Sequence, residues 1–353
     1  MKILVTGGAG LVGTECCRYF AEKGHQVISV DNYMRGVFFG KQGSTKSNVN
    51  SVLKQYPNIT HYEIDIRDER KMPKLIEQVD AIIHTAAQPS HPKSIEIPLD
   101  DFSVNAEGTL KLLEWTRQKN PKAVFVFCST NKVYGDWPNT LSYIEKKTRY
   151  DFKEIDAIDE SAPLDQSMHT PLGVSKVAAD LYTQEYARLY GLPTGVFRMG
   201  CITGSVAKAV EQHNWEPHFV KTALSGKTLK VFGHKGKQVR DVIHARDLAT
   251  LFERFIAKPR PGEVYNIGGG RQNSISLLES FDLIKSITGK KMNYELHPER
   301  EGDHRVYISD LTKVKSHYPG WDLTLELNAI FEEIYQGLLN EPQLVQEMET
   351  QVV

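Results

Sequence analysis

Residues 2–13 read KILVTGGAGLVG and residues 26–31 read QVISVD. The first stretch is a short apolar run, as expected of a strand covered on both faces, and it breaks into Gly7, Gly10 and Gly13 just before an apolar-patterned helix over 11–23. Glycine serves three purposes at these positions: a tight turn, close approach of backbone to a pyrophosphate, and close packing of helix on strand. The helix start, with Leu11 and Val12, then turns free N–H groups and a positive dipole end toward phosphate oxygens. Gly24 stands where a helix C-terminal glycine belongs. Asp31, followed by Asn32, closes the second run about 20 residues after the glycines, where a carboxylate accepts hydrogen bonds from an adenosine ribose and repels a 2′-phosphate. The pattern predicts a dinucleotide site that takes NAD over NADP. A flexible glycine loop in an unrelated α/β protein would not explain Asp31.

The same alternation continues outward. Strands are expected at 2–6, 26–30, 61–66, 81–86, 123–129 and 194–199, and helices at 11–23, 104–118 and 174–190. Strands that alternate with helices build a Rossmann-type, doubly wound parallel α/β sheet. Beyond residue 200 shorter strands (229–232, 264–267, 292–297) mix with helices at 277–288 and 325–338, which predicts a smaller mixed α/β domain for substrate. The expected division is 1–200 for the NAD-binding domain, with segments near 238–270 returning to it, 201–340 mainly for substrate, and 341–353 as a tail. The polar stretch 40–50 and the segment 137–166 read as long loops, and such loops are often functional.

Composition narrows the partners. The chain has 353 residues, 40% hydrophobic and 25% charged, with a net charge of −1, which argues against a broad nucleic-acid or anionic-membrane footprint. No apolar run is long enough to span a bilayer, and Gly7 arrives too soon for a signal-peptide core. Four cysteines, two of them the neighbours Cys16 and Cys17, suit a reduced cytoplasm. The histidines show no metal-ligand spacing, so no metal is expected.

Several further strings carry a resemblance: Asp65 after the third strand, the Ala86–Ala87 pair after the fourth, Asn105 in VNAEGT, STNKVYGD at 129–136, SK ending at Lys176, GKQVRDVIHARDL around Arg240 and REGDHRVYISD around Arg305. Together with the glycines they resemble the extended short-chain dehydrogenase/reductase family over most of the chain. The resemblance implies that Asp65 and Ile66 contact adenine, that Ala86, Ala87 and Asn105 line the cofactor, and that Lys176 binds the nicotinamide ribose. It further implies that Thr130 bonds the reacting sugar, beside Asn131 and Lys132, and that Arg240 and Arg305 hold a nucleotide diphosphate, for which planar guanidinium groups are suited. Within the family, STNKVYGD and the later DESAPLDQSMHTP resemble the members that epimerise CDP-linked deoxysugars at C2. Sugar-nucleotide 4,6-dehydratases carry an acidic pair after the Thr; Asn131 and Lys132 stand there instead, which disfavours elimination.

One departure matters. The family carries Tyr four residues before the Lys, on the same helix face, where the phenol exchanges a proton. Here that position is Leu172, in HTPLGVSK. Three readings stay open: an impaired version of an active enzyme, an enzyme with another base (His169, Tyr134, Lys132 and Cys201 lie nearby in sequence), or a protein that binds NAD and sugar nucleotide without turnover. Each stand-in also has a plain structural explanation, such as a packed aromatic for Tyr134 and a turn residue for His169. A net sugar-nucleotide oxidoreductase or decarboxylase is the alternative reaction. The apolar stripes of helices 104–118 and 174–190 resemble those that pair subunits in this family, so a homodimer or homotetramer is expected.

Overall fold

The apolar runs of the first 200 residues form the strands of one all-parallel sheet. In chain order these are β1 (Lys2–Thr6), β2 (Gln26–Asp31), β3 (Ile59–Glu63), β4 (Ala81–His84), β5 (Val124–Thr130), β6 (Thr194–Met199) and, arriving from much later in the chain, β7 (Glu263–Ile267). Their order across the sheet is β7-β6-β5-β4-β1-β2-β3, and every pairing is parallel. The chain builds β1 to β3 outward on one side and then crosses back to place β4 on the other side of β1. The strand order therefore reverses between β1 and β4, and a crevice opens at their carboxyl ends. This computed structural model describes residues 1–40, 43–204, 215–300 and 302–340.

Strand periodicity divides the core. Ile3 and Val5 face a layer built from α1 (Leu11–Glu22) and the later helix α4 (Ala245–Ala257), with Phe20, Phe197, Phe252 and Phe255 packed between. Leu4 points the other way, toward Leu112 and Leu113 of α2 (Gly108–Lys119) and Ala179 of α3 (Pro171–Tyr190). Both faces of the sheet are thus covered, as the unbroken apolar runs require.

The C-terminal part has its own core around Phe219, Val231, Val242, Phe281 and Phe331. Its main sheet joins Cys201–Thr203, Val239–His244, Ser274–Ser276 and Val306–Tyr307, and a second parallel pair joins Thr228–Phe232 to Asn293–His297. From this unit the chain returns to the large sheet as α4 and β7.

Three expectations change. The third strand ends at Glu63 rather than continuing to 66, because the Asp65 carboxylate accepts from the backbone N–H of Arg67 (2.8 Å) and turns the chain. The polar stretch 40–50, expected as loop, contributes to a helix, Lys46–Gln55, that buries Asn48, Val49 and Val52 (residues 41–42 lie outside those described). The segment 137–166 is not loop throughout; it holds a short 3₁₀ turn and an antiparallel pair, Tyr143–Glu145 with Tyr150–Phe152. The tail expected at 341–353 lies outside the described residues. Among the described residues no helix is long and apolar enough to cross a membrane.

Candidate active site

A cleft of about 1020 Å³ lies at the reversal point, with the ends of β1, β2, β4 and β5 on one side and the C-terminal unit on the other. On the sheet side the glycine turn forms its floor. Gly7 has φ +68°, and a Cβ there would stand 2.7 Å from the backbone N of Ala86, so only glycine lets β1 and β4 end this close together. A Cβ at Gly13 would lie 2.1 Å from the Gly7 carbonyl oxygen; Gly13 does not line the cleft but lets α1 sit against the turn. No side chain caps α1 at Gly10, and Gly10, Leu11 and Val12 line the cleft. This cradle, closed to any side chain and offering helix N–H groups, fits a pyrophosphate.

Asp31 ends β2 at the cleft wall. Its carboxylate accepts from the N–H groups of Ala9 (3.0 Å) and Tyr33 (2.7 Å), while burial raises its pKa. Asn32 donates to Asp65 at 2.8 Å, and Arg67, bound to the same carboxylate, holds Asp65 below the usual carboxylate range. Asn32, Asp65, Ile66, Ala86 and Ala87 all line the cleft. Asn105 does not. It is buried behind the wall, where its side chain accepts from Gln88 N–H (2.9 Å) and donates to Gln88 O and Asp101 (both 3.1 Å). Asp101 also accepts from Ser175 (2.6 Å), so this network clamps the second turn of α3 to the segment after β4.

At the end of β5 and just after it come Thr130, Asn131 and Lys132, all lining the cleft. Thr130 Oγ1 accepts from the Lys132 N–H at 3.3 Å. Lys132 Nζ donates to the Gly302 carbonyl (2.8 Å), and burial lowers its pKa to about 8. Pro171 opens α3, which places Leu172 in the first turn, one helical turn from Lys176 and buried in the same wall. Lys176 Nζ donates to the Cys128 carbonyl (3.1 Å) and lies 5.0 Å from the Phe127 ring centroid; burial pushes its pKa down to about 8.

The residues considered as replacement bases separate clearly. Tyr134 is fully buried outside the cleft, donates to Asn266 (2.7 Å), accepts from Arg198 (3.1 Å), and is pushed up to about 12 by burial. Both ring nitrogens of His169 face carbonyls, of Ser167 and Val133, at 2.9 Å. Cys201 lines the cleft, but burial raises its thiol to about 12. Lys132 is thus the candidate of the four with an ionisable nitrogen in the cleft wall.

Across the cleft stands Arg240, hydrogen-bonded to the Val239 carbonyl (2.7 Å) and ion-paired with Asp303. Arg305, expected at the diphosphate, is not among the described residues lining the cleft. Its guanidinium lies over the rings of Tyr143 (5.1 Å) and Tyr150 (5.3 Å), and these stacking contacts take it away. The sequence reading missed His91, Trp215, Glu216 and Arg300 in the wall. Glu216 is buried with one unpartnered oxygen, and burial raises its pKa to about 8. Among the described residues no group of three or more His, Cys, Asp or Glu is placed to hold a metal ion.

A model of the NAD dependent epimerase/dehydratase family matches residues 3–268. The chain belongs to that family, as its likeness to the extended short-chain dehydrogenases/reductases implied; it is an enzyme with NAD as cofactor. It is similar to CDP-paratose 2-epimerase of Salmonella typhi, 37% identical over 324 residues, covering 89% of this chain and 92% of that protein. Among solved structures, UDP-glucose 4-epimerase of Thermotoga maritima with UDP-glucose aligns with a TM-score of 0.80 and 28% identity, covering 96% of this chain and 98% of that one. The dTDP-glucose 4,6-dehydratase of Bacillus anthracis in complex with NAD aligns with a TM-score of 0.77 and 26% identity, covering 98% of both chains.

Proposed function

We propose that the chain epimerises a CDP-linked deoxysugar at C2 by transient oxidation and re-reduction. The observation that carries this reading is the Thr130, Asn131, Lys132 run in the cleft wall. It offers a hydroxyl, an amide and a cation, but not the acidic pair with which 4,6-dehydratases eliminate water. The similarity to CDP-paratose 2-epimerase supports the choice of nucleotide and carbon. Net oxidoreduction, decarboxylation and binding without turnover are not favoured by these relatives.

When bound, NAD supplies a hydride acceptor that later serves as donor, so the reaction has no net redox change. The glycine turn and the α1 N–H groups hold its pyrophosphate, Asp31 its adenosine ribose, and Asp65 and Ile66 its adenine. Lys176, pinned by the Cys128 carbonyl, donates to the nicotinamide ribose. Asn105 acts from behind the wall by fixing the α3 turn that carries Lys176. Thr130 holds the reacting hydroxyl, while Asn131 and Lys132 position the sugar. Arg240 takes the diphosphate, the role first expected of Arg305 as well.

The test is to incubate purified protein with CDP-paratose carrying deuterium at C2 and follow the sugar by NMR. A mixture of C2 epimers without accumulation of reduced nicotinamide is expected. Stoichiometric NADH, or untouched substrate, rules the reading out. In the same reading the enzyme works in the cytoplasm, where its four unpaired thiols stay reduced, as a homodimer or homotetramer. Val174, Leu181, Tyr182 and Leu189 are exposed along α3, which supports pairing through that helix; light scattering decides it.

A further inference from the structure

We propose that Asn139 is a positioning residue for the diphosphate end of the substrate: it holds the segment 303–305, whose Asp303 sets the direction of Arg240 in the cleft. The inference rests on the reading of Arg240 given above. Asn139 is not among the residues lining the cleft, so it acts through others. It stands in the short 3₁₀ turn Trp137–Thr140, at the start of the segment that the sequence marks as a functional loop. Its side-chain amide donates to the Asp303 carbonyl (2.9 Å) and accepts from the Arg305 N–H (2.8 Å), so one side chain engages the backbone on both sides of His304. The Arg305 carbonyl in turn accepts from the Val239 N–H (2.9 Å), and Val306–Tyr307 runs parallel to Val239–His244 with Arg240 opposite Tyr307. Residues 303–307 therefore link the Asn139 amide to the strand that carries Arg240.

The side chain of Arg240 is set by the same segment. Its Nη1 donates to the Val239 carbonyl (2.7 Å) and its Nη2 pairs with the Asp303 carboxylate. Two bonds in different directions fix the plane of the guanidinium, and a fixed plane is what a paired bond to phosphate oxygens needs.

Other contacts join the same two stretches of chain. His304 is fully buried, donates from Nε2 to the Gly135 carbonyl (2.7 Å) and stacks on Tyr307 with ring centroids 5.5 Å apart. Lys132 Nζ donates to the Gly302 carbonyl (2.8 Å). Gly302 has φ +72°, and a Cβ there would lie 3.1 Å from the Thr170 methyl at the base of α3; the Thr170 hydroxyl also bonds His91 (2.7 Å). Among these contacts the Asn139 amide is the one made to the backbone of Asp303. Gly302 and Asp303 are neighbours, so Lys132 on the sugar side and Arg240 on the diphosphate side are both referred to one short segment. Asn139 ties that segment to the end of β5, and with it the distance from the diphosphate to Thr130.

The test measures CDP affinity by calorimetry, KM and kcat on CDP-paratose, retained NAD by absorbance, and melting temperature. The proteins are the wild type, Asn139→Ala, Asn139→Asp, Arg240→Ala, the double variant of Asn139→Ala with Arg240→Ala, and Gly24→Ala. Asn139→Ala is expected to weaken CDP binding and raise KM by roughly tenfold, the loss of two neutral hydrogen bonds, with kcat and NAD content little changed. Asn139→Asp keeps the shape and the acceptor for Arg305 but sets a carboxylate oxygen against the Asp303 carbonyl, so it should lose at least as much. Because Asn139 acts through Arg240, adding Asn139→Ala to Arg240→Ala should change CDP affinity by less than about twofold. Gly24→Ala, remote from the cleft, should lose stability and keep CDP affinity, which separates positioning from general destabilisation. An Asn139→Ala protein that binds CDP as the wild type does, or loses the same factor with and without Arg240, overturns the role of Asn139 alone. A wild type that does not bind CDP overturns the functional reading, and this inference with it.

Discussion

Lys176 is a buried cation in the cleft wall. Burial lowers its pKa from 10.5 to about 8, so at neutral pH it remains largely protonated at a cost. One pKa unit corresponds to about 1.4 kcal/mol; the shift thus represents about 3 kcal/mol, partly offset by the bond to Cys128 and the Phe127 ring. Because the folded value lies below the unfolded one, the unfolded chain binds more protons between pH 8 and 10.5, and this residue's penalty shrinks as pH rises through that window. NAD-free Lys176→Met is therefore expected to melt above the wild type at pH 7, by about 1–2 kcal/mol in stability, and to lose that advantage near pH 10. Thermal scans of both proteins at the two pH values check this, and the variant should have lost turnover. The position of Lys176 was legible in the sequence because SK follows a helix start at a fixed place in a known pattern. His91 was not, because a histidine before a proline has no spacing signature; only the fold carries it to the base of α3.

The glycine turn shows what an element encodes beyond its residues. Gly7 and Gly13 are required by contacts between separate segments, the turn against β4 and α1 against the turn. Alanine at 13 would need the Gly7 carbonyl to move, and overpacking of this kind costs about 1–3 kcal/mol. Gly13→Ala should lower the urea midpoint accordingly and emerge from purification with little bound NAD, whereas Gly24→Ala, which meets no neighbouring atom within 4 Å, should keep NAD and lose only stability through its positive φ. Equal NAD content in the two variants would sink the argument. The strands around this turn were readable because both faces of the sheet are buried there and the runs are mostly apolar. The helix Lys46–Gln55 was hidden by its polar composition, since only Asn48, Val49 and Val52 face inward. Arg305 was misplaced for a related reason: an arginine beside a phosphate and an arginine stacked on tyrosines look alike until the Tyr143 strand is placed.

At the scale of the whole molecule, a net charge of −1 conceals a separation of charge. Among the described residues the cleft gathers seven cationic side chains, Arg35, Lys132, Lys176, Lys227, Lys230, Arg240 and Arg300, against the four carboxyl groups of Asp31, Asp65, Glu216 and Asp303. One of the four, Glu216, is largely neutral at pH 7 because burial raises its pKa to about 8. Field lines converge in a low-dielectric crevice, so a sugar nucleotide with two phosphates is drawn to it even by a protein without overall positive charge. The Debye length falls from about 10 Å at 0.1 M salt to about 3 Å at 1 M, so KM for the sugar nucleotide should rise several-fold over that range while kcat stays flat. Arg240→Ala should raise KM by roughly ten- to a hundredfold, since a charged hydrogen bond is worth about 1.5–3 kcal/mol, and should flatten the salt dependence without releasing NAD, whose cradle lies on the sheet side. Steady-state rates at four salt concentrations, with NAD content measured in parallel, decide between this picture and its rival. A KM indifferent to salt, or an Arg240→Ala protein that has shed its NAD, would mean that the two halves of the cleft do not divide the ligands as their charges indicate.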